Sequence, residues 1–440
     1  MQSILERLAK KWYNCKDIFD GDEIMALKQE EQRETQKPFI NWRRNLVILW
    51  TCVFLTCASY TMVVPFLPLY LLQELGVSSS SVNIWAGMIF SVTFLGSAIM
   101  APYWGAMADR VGQKKMALRA GFGLSLCYFF SSMAQTPEQL FAVRAFTGFI
   151  SGFVPASMAL CSSTLPAEKL GWGMGWMQAA VASGGVIGPL IGGYVSEWFS
   201  MRFSFYVASG ALLLATCAVF YFVQDIVDLK ARQKAKETSI LSDLRLAVGN
   251  KKLLYIMGLF FLVQSCLLII QPLLTIYVKE LMGGMEGAVK ASGVVFSLAG
   301  IAGILAAPFW GRTGQKVGFA RTLFFVMICA GLTNLCQVFV SDIWQFGFVQ
   351  FVFGLFLAGA APNINAGIVR TTDPLVRGKA FGLVTSAQQS GGVVGPLLGG
   401  FMGTFLATRY IFVFTGIVLI CAGTHIYCTK VRKSAGGSSW

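Results

Sequence analysis

Long apolar stretches, separated by short polar connections, fill most of the chain after residue 44. Runs of about 20 apolar residues are typical of helices that cross a membrane. The pattern predicts an all-α membrane protein with twelve transmembrane helices. These runs, numbered here span 1 to span 12, are centred in the windows 46–72, 84–107, 117–135, 139–161, 172–196, 203–224, 253–278, 289–311, 321–340, 343–367, 379–402 and 407–428.

The spans form two copies of one six-helix unit. Ser183–Gly193 in span 5 recurs as Ser390–Gly400 in span 11, 207 positions later. Other matches keep an offset of 206 or 207, among them Ala101–Gly105 with Ala307–Gly311. We therefore predict two pseudo-symmetric six-helix bundles, an arrangement that recurs in transporters whose binding site lies between the two halves.

The repeated motif predicts helices that pack closely and bend. Its glycines recur every four residues, so they share one helix face on which another backbone can approach. Each copy also holds a proline, which cannot donate a backbone hydrogen bond and is expected to kink the helix. The residues with these packing and bending roles are Gly184, Gly188, Pro189 and Gly192 in span 5, and Gly391, Gly395, Pro396 and Gly399 in span 11.

Basic residues are distributed unevenly over the loops. Of the 35 Lys and Arg residues, 30 lie in the termini and in the loops after spans 2, 4, 6, 8 and 10. Cytoplasmic loops carry such an excess, so both termini are predicted to be cytoplasmic. The net charge of +14 therefore signals topology and does not indicate nucleic-acid binding. The predicted segments are an N-terminal extension at 1–44, a first bundle at 45–224, a linker at 225–252, a second bundle at 253–429 and a tail at 430–440.

Residue types that support catalysis or metal binding are scarce. The eleven cysteines lie mostly within spans and form no CxxC pair, and His425 is the only histidine. A metal site needs several such ligands close together. No nucleophile–base pair is visible in the spans either. We therefore predict no enzymatic activity, no metal and no cofactor.

Three motifs resemble those of a known family, the major facilitator superfamily. Gly105–Lys114, after span 2, resembles its loop motif between helices 2 and 3, and Arg144–Gly148 resembles its helix-4 motif. Gly184–Gly193 is similar to the antiporter motif of exporters in the drug/proton antiporter branch. The resemblance covers essentially the whole chain after residue 40. It implies a twelve-helix secondary transporter in the bacterial inner membrane.

The loop motif predicts a gate at the cytoplasmic end. Asp109 and Arg110 cap the end of span 2, and Gly112 permits a tight turn into span 3. The resemblance implies that Asp109 latches against the start of helix 11, near residues 377–379. The second copy of the motif has Gln315 at the position of Asp109, so the latch is expected on one side only. A loop that only sets topology is the alternative.

Arg144 is a cation within span 4. Such a residue costs about 2.5 kcal/mol or more on insertion scales, so it is expected to face a wet cavity or a partner. Its repeat mate is Gln350, so the fold itself does not require the charge. The resemblance implies a role in proton or substrate coupling, and a structural hydrogen-bonding hub is the alternative. A buried carboxylate would be the usual proton-coupling group, but no span contains an acidic residue, which leaves Glu74, Asp109 and Glu197 as candidate relays.

Polar, aromatic and flexible side chains deep in both halves are candidates for a substrate cavity, with helix packing as the alternative for each. They are Tyr60, Met62, Gln178, Gln271, Asn363, Asn365 and Gln388. Together they predict a broad, mainly apolar pocket. We expect a monomeric secondary active exporter of small amphipathic compounds that works by alternating access in the bilayer, with proton antiport. The alternatives are an uptake symporter or facilitator for a sugar or organic anion, and a membrane sensor that transports nothing.

Overall fold

The computed structural model describes residues 41–224, 250–284, 287–371 and 377–431. Most of the predicted N-terminal extension, most of the linker and most of the tail lie outside these residues. The described part is helical, with no strand in the ranges given. The prediction of an all-α chain is confirmed.

The first half contains six spans, each built from one helix or from consecutive helices. They are Trp42–Val63, the 3₁₀ turn Val64–Phe66 and Leu67–Gln73 in span 1, Val82–Val111 in span 2, Gln113–Met133 in span 3, Pro137–Ile150 and Phe153–Thr164 in span 4, Leu170–Trp198 in span 5, and Met201–Phe222 in span 6.

The second half repeats this order. Its helices are Lys251–Met282 in span 7, Ala288–Val317 in span 8, Phe319–Cys336 with the turn Gln337–Phe339 in span 9, Ile343–Leu357 and Ala360–Thr371 in span 10, Arg377–Phe405 in span 11, and Thr408–Ile426 with Tyr427–Val431 in span 12. Among the described residues, ten of the twelve spans are long and apolar enough to cross a membrane, all except spans 3 and 11. The twelve-helix prediction is confirmed.

Spans 4 and 10 are each built from two consecutive helices. The interruption in span 4 follows Ile150, and Gly152 there has a φ of 125°. Pro155 and its repeat mate Pro362 are each the third residue of the new helix. Proline is tolerated in a first turn, where the missing N–H would have no partner within the helix. The repeated proline therefore lies at the start of a helix in both halves.

Pro189 and Pro396 lie instead inside the unbroken helices of spans 5 and 11. Each is preceded by more than fifteen helical residues, so the missing hydrogen bond falls in the helix interior. The bend expected at these two positions stays a prediction.

Buried aromatic pairs show the same packing in the two halves. Tyr70 contacts Phe205 with ring centres 5.2 Å apart and an interplanar angle of 60°. Tyr277 contacts Phe412 at 5.4 Å and the same angle, and these residues lie 207 positions further along. All four side chains are fully buried. Each pair therefore joins the first span of a half to its last.

A second repeated contact joins the second span of each half to the fourth. The indole nitrogen of Trp104 donates to the Phe149 carbonyl at 2.6 Å, and that of Trp310 donates to the Leu355 carbonyl at 2.7 Å. Buried indole N–H groups normally find such a partner. The two halves therefore share these packing contacts as well as the sequence pattern.

Candidate functional site

The repeated glycines of span 5 pack against the backbone of span 1. Those of span 11 pack against span 7 in the same way. A Cβ on Gly184, Gly188 or Gly192 would meet the carbonyl oxygen of Phe54, Ala58 or Met62, and a Cβ on Gly391, Gly395 or Gly399 would meet that of Phe261, Ser265 or Ile269. Only glycine leaves room for a backbone at this separation. The two motifs therefore fasten spans 5 and 11 within their own halves.

The opposite face of each motif helix meets the other half. A Cβ on Gly293 in span 8 would meet the Pro189 carbonyl, and one on Gly87 in span 2 would meet the Pro396 carbonyl. The halves therefore touch along two equivalent junctions, span 5 with span 8 and span 2 with span 11. One motif serves both the packing of its own half and the contact between halves.

Serine hydroxyls bond main-chain carbonyls across both junctions. Ser297 donates to the Val186 carbonyl at 2.6 Å, and Ser91 donates to the Val393 carbonyl at 2.7 Å. Hydroxyl-to-carbonyl bonds are typical of close helix contacts in membranes. Thr275 of span 7 adds a hydrogen bond to the Pro65 carbonyl of span 1.

These contacts cluster at one end of the molecule, called here the Glu197 end, where spans 5 and 11 finish. Along span 2, Gly87 and Ser91 contact span 11, whereas Ala101 and Gly105 lie further along the same face and are exposed. A Cβ on Gly105 would have no atom of the described residues within 4 Å. Along span 5, Val186 is buried and Ala182, one turn earlier, is exposed. In the described residues the two halves contact each other at the Glu197 end. They lie apart toward the opposite end, which contains Gly112 and is called here the Gly112 end.

Arg144 is buried within the first half, with 6% of its surface exposed. Its guanidinium carbon lies 5.2 Å from the ring centre of Tyr128 and 5.5 Å from that of Phe205, within cation–π range. Its Nε is buried and has no hydrogen-bond partner among the described residues. A desolvated cation with an unused donor is costly unless something else binds there.

A small pocket lies beside Arg144, between spans 1, 2 and 4. Its walls are mainly apolar, with two hydroxyl groups besides the guanidinium. The lining residues are Tyr60, Val63, Val64, Leu67, Ile89, Phe90, Thr93 and Arg144. The sequence singled out only Tyr60 and Arg144 from this set. Tyr128 was missed as a neighbour of Arg144, although both lie at similar distances from the connection at 134–136 and so at similar depth in adjacent antiparallel helices.

The equivalent position in the second half is neutral and takes part in a chain of side-chain hydrogen bonds. Gln350 donates to the Gln337 side chain at 3.3 Å, which donates to Asn334 at 2.8 Å, which in turn donates to the Thr415 hydroxyl at 2.6 Å. These residues are buried. At these two equivalent positions of the described residues, the first half carries a charged group with unused bonding capacity and the second half a neutral amide.

The predicted cavity residues do not all meet in one pocket. Tyr60 lines the pocket beside Arg144, whereas Met62 is buried where span 1 packs against Gly192 of span 5. Asn363 is buried in the second half and donates to the Gly359 carbonyl at 2.7 Å. Gln388 donates to Gln264 at 3.2 Å, so spans 7 and 11 are joined there.

The three remaining candidates have different surroundings. Gln271 is half-buried, and its Oε1 lacks a partner in the part of the chain that the structure describes. Asn365 is half-buried in span 10, and Gln178 is exposed on span 5 toward the Gly112 end.

The loop motif after span 2 forms the tight turn that its sequence predicts. Gly112 has a φ of 110° and alone separates the helices of spans 2 and 3, and Gly318 repeats this geometry at 106° between spans 8 and 9. A side chain at such a φ would be strained. Arg110 is exposed. The side chain of Asp109 and those at 377–382 lie outside the described residues, so the expected latch stays a prediction.

Two ion pairs lie at the Glu197 end of the described residues. Glu74 pairs with Arg202 at 3.1 Å within the first half, and Glu197 pairs with Lys290 of the second half at 3.2 Å. The sequence identified both acids but not their partners. Few basic residues lie in the loops at that end, so Arg202 and Lys290 could have been recognised there as candidate partners.

Two pseudo-symmetric bundles of six membrane-crossing helices, joined at one end and holding a mainly apolar pocket beside a buried cation, define a multi-pass membrane transport protein. The model of the Major Facilitator Superfamily matches residues 49–304 and 286–437. The chain belongs to this family. Its members move small molecules across membranes, in agreement with the resemblance in the sequence.

The chain is similar to curated relatives over most of its length. It is 34% identical to the multidrug resistance protein MdtG of Proteus mirabilis over 384 residues, which is 86% of this chain and 94% of that protein. It is likewise 34% identical to the MdtG protein of Serratia proteamaculans over 398 residues, covering 90% and 95%.

Solved structures share the fold at low identity. The nucleoside transporter NupG matches with a TM-score of 0.73 and 14% identity, covering 88% of this chain and all of that one. A bacterial homologue of the human lysosomal transporter Spinster, described as inward-facing and unoccupied, matches with a TM-score of 0.71 and 12% identity over 88% and 96%. These likenesses establish the fold alone.

Proposed function

We propose that this chain is a secondary active exporter of small amphipathic compounds, working by alternating access. One observation carries the proposal: in the described residues the two halves contact each other at the Glu197 end, largely where glycine and serine meet main-chain carbonyl oxygens. When two bundles rock about a central chamber, the surfaces in contact must separate in every cycle. Separation is easier when few long side chains interdigitate across that surface. The name of the relatives, multidrug resistance protein, supports the class of cargo.

The excess of basic residues supports an orientation. In this proposal the Gly112 end and both termini lie in the cytoplasm of a bacterial cell, and the spans cross its inner membrane. The closed Glu197 end then faces outward, so the described arrangement is the inward-open member of the transport cycle. A reporter protein that works only in the cytoplasm should be active when it is fused to the C-terminus. Activity of a reporter that works only in the periplasm would contradict the orientation.

The pocket beside Arg144 supports a coupling role for that residue. Arg144 acts in this proposal as a fixed charge that changes partner during the cycle. Water, a cargo group or a proton-carrying relay would take up its free Nε in turn. Proton antiport is proposed on this ground, with Asp109 as the latch at the cytoplasmic end and Tyr60 as the nearest cavity residue.

Cellular accumulation of fluorescent compounds tests the exporter directly. Cells that produce the chain should hold less of at least one member of a broad amphipathic panel than cells that produce the Arg144→Gln variant at equal protein level. A protonophore should remove the difference. Equal accumulation of every member would reject the exporter, and a difference that the protonophore leaves intact would reject proton coupling.

Uptake of an organic anion is the second candidate, because Arg144 is a buried cation and the ion pairs of the described residues do not include it. The direction of flux separates the two functions. In inside-out vesicles with an imposed proton gradient, an exporter concentrates labelled cargo in the lumen. In right-side-out vesicles, accumulation of labelled cargo in the lumen would instead identify an uptake symporter.

We also propose that one chain is sufficient. Both junctions and the Arg144 pocket are formed within a single chain, so no second copy is needed to complete them. Light scattering of the purified protein should give the mass of one polypeptide after subtraction of the detergent.

A further inference from the structure

Lys290 bridges the two halves at the outer edge of the span 5–span 8 junction. Its Nζ lies 3.2 Å from a carboxylate oxygen of Glu197 and 4.9 Å from the ring centre of Tyr194. Tyr194 and Glu197 are three residues apart on one helix, so they share a face. The cation of the second half is therefore held by a carboxylate and an aromatic ring of the first.

The backbone around Lys290 is held close to span 5 as well. A Cβ on Gly193 would lie 3.1 Å from the Lys290 Cα. The main chain is thus fixed against the end of span 5, and the side chain needs to reach only one further turn to Glu197. A pre-positioned side chain loses less conformational entropy when it pairs.

The equivalent position on the other junction has no charge. Ile84 of span 2 stands 206 positions before Lys290, the offset that also relates Ser91 to Ser297, and Thr404 stands 207 positions after Glu197. Asn83 donates a neutral hydrogen bond to the Gly403 carbonyl across the span 2–span 11 junction. The glycine and serine contacts are shared by both junctions, whereas the ion pair is added to one. Packing of the halves therefore does not require it.

We propose that Glu197, Lys290 and Tyr194 form a clasp that biases the molecule toward the conformation closed at the Glu197 end. The inference rests on the proposed alternating-access function. The two charged side chains keep 36% and 40% of their surface exposed, so water screens the pair. Such pairs are worth little, and they shift an equilibrium by a small factor without trapping one state. A weak clasp of this kind suits a surface that must open in every cycle.

A buried thiol can report opening of the Glu197 end. Ser91 is 3% exposed and lies on the uncharged junction, away from the clasp. In the Ser91→Cys variant, purified at full length in lipid nanodiscs, a polar thiol reagent should label the introduced group only when that end opens. Mass spectrometry of the peptide around position 91 separates this label from any on the native cysteines.

The clasp predicts faster labelling when either charge is removed. Glu197→Gln or Lys290→Gln in the Ser91→Cys background should raise the labelling rate about two- to fivefold at low salt. Salt near 1 M should reduce the difference, because screening weakens the pair that remains in the parent. Exchange of the charges, Glu197→Lys with Lys290→Glu, should return the rate toward that of the parent.

Glu74→Gln provides a matched control. The Glu74–Arg202 pair lies at the same end with similar exposure, but both partners belong to the first half. Its removal should leave the labelling rate unchanged. Equal acceleration by Glu74→Gln and Glu197→Gln, or no acceleration by Glu197→Gln, would overturn the clasp. Labelling requires no cargo, so a failure of the exporter proposal would appear in the accumulation assay and not here.

Discussion

Arg144 and Gln350 occupy equivalent places but differ in how their bonding capacity is used. The amide of Gln350 belongs to a chain of hydrogen bonds that ends at Thr415, whereas the Nε of Arg144 bonds nothing in the described residues. Only one of the two equivalent positions thus carries a costly buried charge. This cost supports the proposed role of Arg144 in transport.

The first prediction is that Arg144→Gln separates folding from transport. The variant replaces a buried cation with the neutral side chain of the other half, so its free energy of unfolding should be unchanged or about 1 kcal/mol higher. Its efflux rate should fall at least tenfold. Thermal unfolding and probe accumulation at matched protein level measure the two quantities.

Gln350→Ala is expected to give the opposite result. It leaves the Gln337 side-chain oxygen buried without a donor, which costs about 1–3 kcal/mol of stability. Efflux per folded molecule should change little. Loss of transport in this variant at normal stability would show that the two positions have equivalent roles, against the contrast drawn from their surroundings.

Sequence reasoning found Arg144 but not the residues around it. A cation in an apolar run is visible at once, because few residues carry so large an insertion cost. Tyr128 and Phe205 are ordinary aromatic residues in apolar helices, and nothing in their own segments marks them. Their importance comes only from the packing of spans 3 and 6 against span 4.

At the scale of the helix, the four-residue glycine spacing is the feature that the sequence predicted in most detail. Each glycine on that face lies opposite a carbonyl oxygen of the neighbouring span. Gly185 lies on the same helix but faces open space, with no atom of the described residues within 4 Å of a Cβ there. The pattern therefore distinguishes glycines that packing requires from one that it does not.

The second prediction uses this difference. Gly192→Ala should destabilise the protein by about 1–3 kcal/mol, because its Cβ would overlap the Met62 carbonyl and push spans 1 and 5 apart. Gly185→Ala should be neutral or slightly stabilising, since alanine favours the helix by about 1 kcal/mol. Thermal unfolding in detergent compares the two. Equal losses would mean that any glycine of span 5 is needed for helix flexibility and not for packing.

Prolines limited what periodicity alone could predict about the helices. A hydropathy profile averages over a window, so spans 4 and 10 each appear in it as a single segment. In each of these spans a second helix begins just before a proline. The same residue type at Pro189 leaves its helix unbroken, because it lies far from either terminus. The position of a proline within its helix, which a hydropathy profile does not resolve, decides the outcome.

For the whole molecule, the sequence predicts two halves but not the conformation in which they are found. The same chain has to support states closed at either end, and these differ by small sums of weak contacts. The hydrogen bonds of Ser91 and Ser297 join residues about a hundred or more positions apart, so no local pattern indicates them. The closed end is information that only the structure supplies.

The third prediction concerns this closure. A disulfide between cysteines introduced by Ser91→Cys and Val393→Cys should hold the halves together at the Glu197 end, where the serine hydroxyl now meets the Val393 carbonyl. Oxidation should stop efflux, and reduction should restore it. Each single variant should keep its activity under the same oxidant. Undiminished efflux with a fully formed bridge would mean that transport does not require the halves to part.

The junctions between the halves consist largely of main-chain oxygens that meet glycine and serine, and this has a consequence for how the protein can change. The pocket beside Arg144 lies between spans 1, 2 and 4 of the first half, apart from the glycine and serine contacts of the junctions. Substitutions can therefore alter which compounds are accepted while the moving surfaces keep their fit. A protein arranged in this way can acquire resistance to a new toxin through single amino-acid replacements, without having to rebuild the movement that expels it.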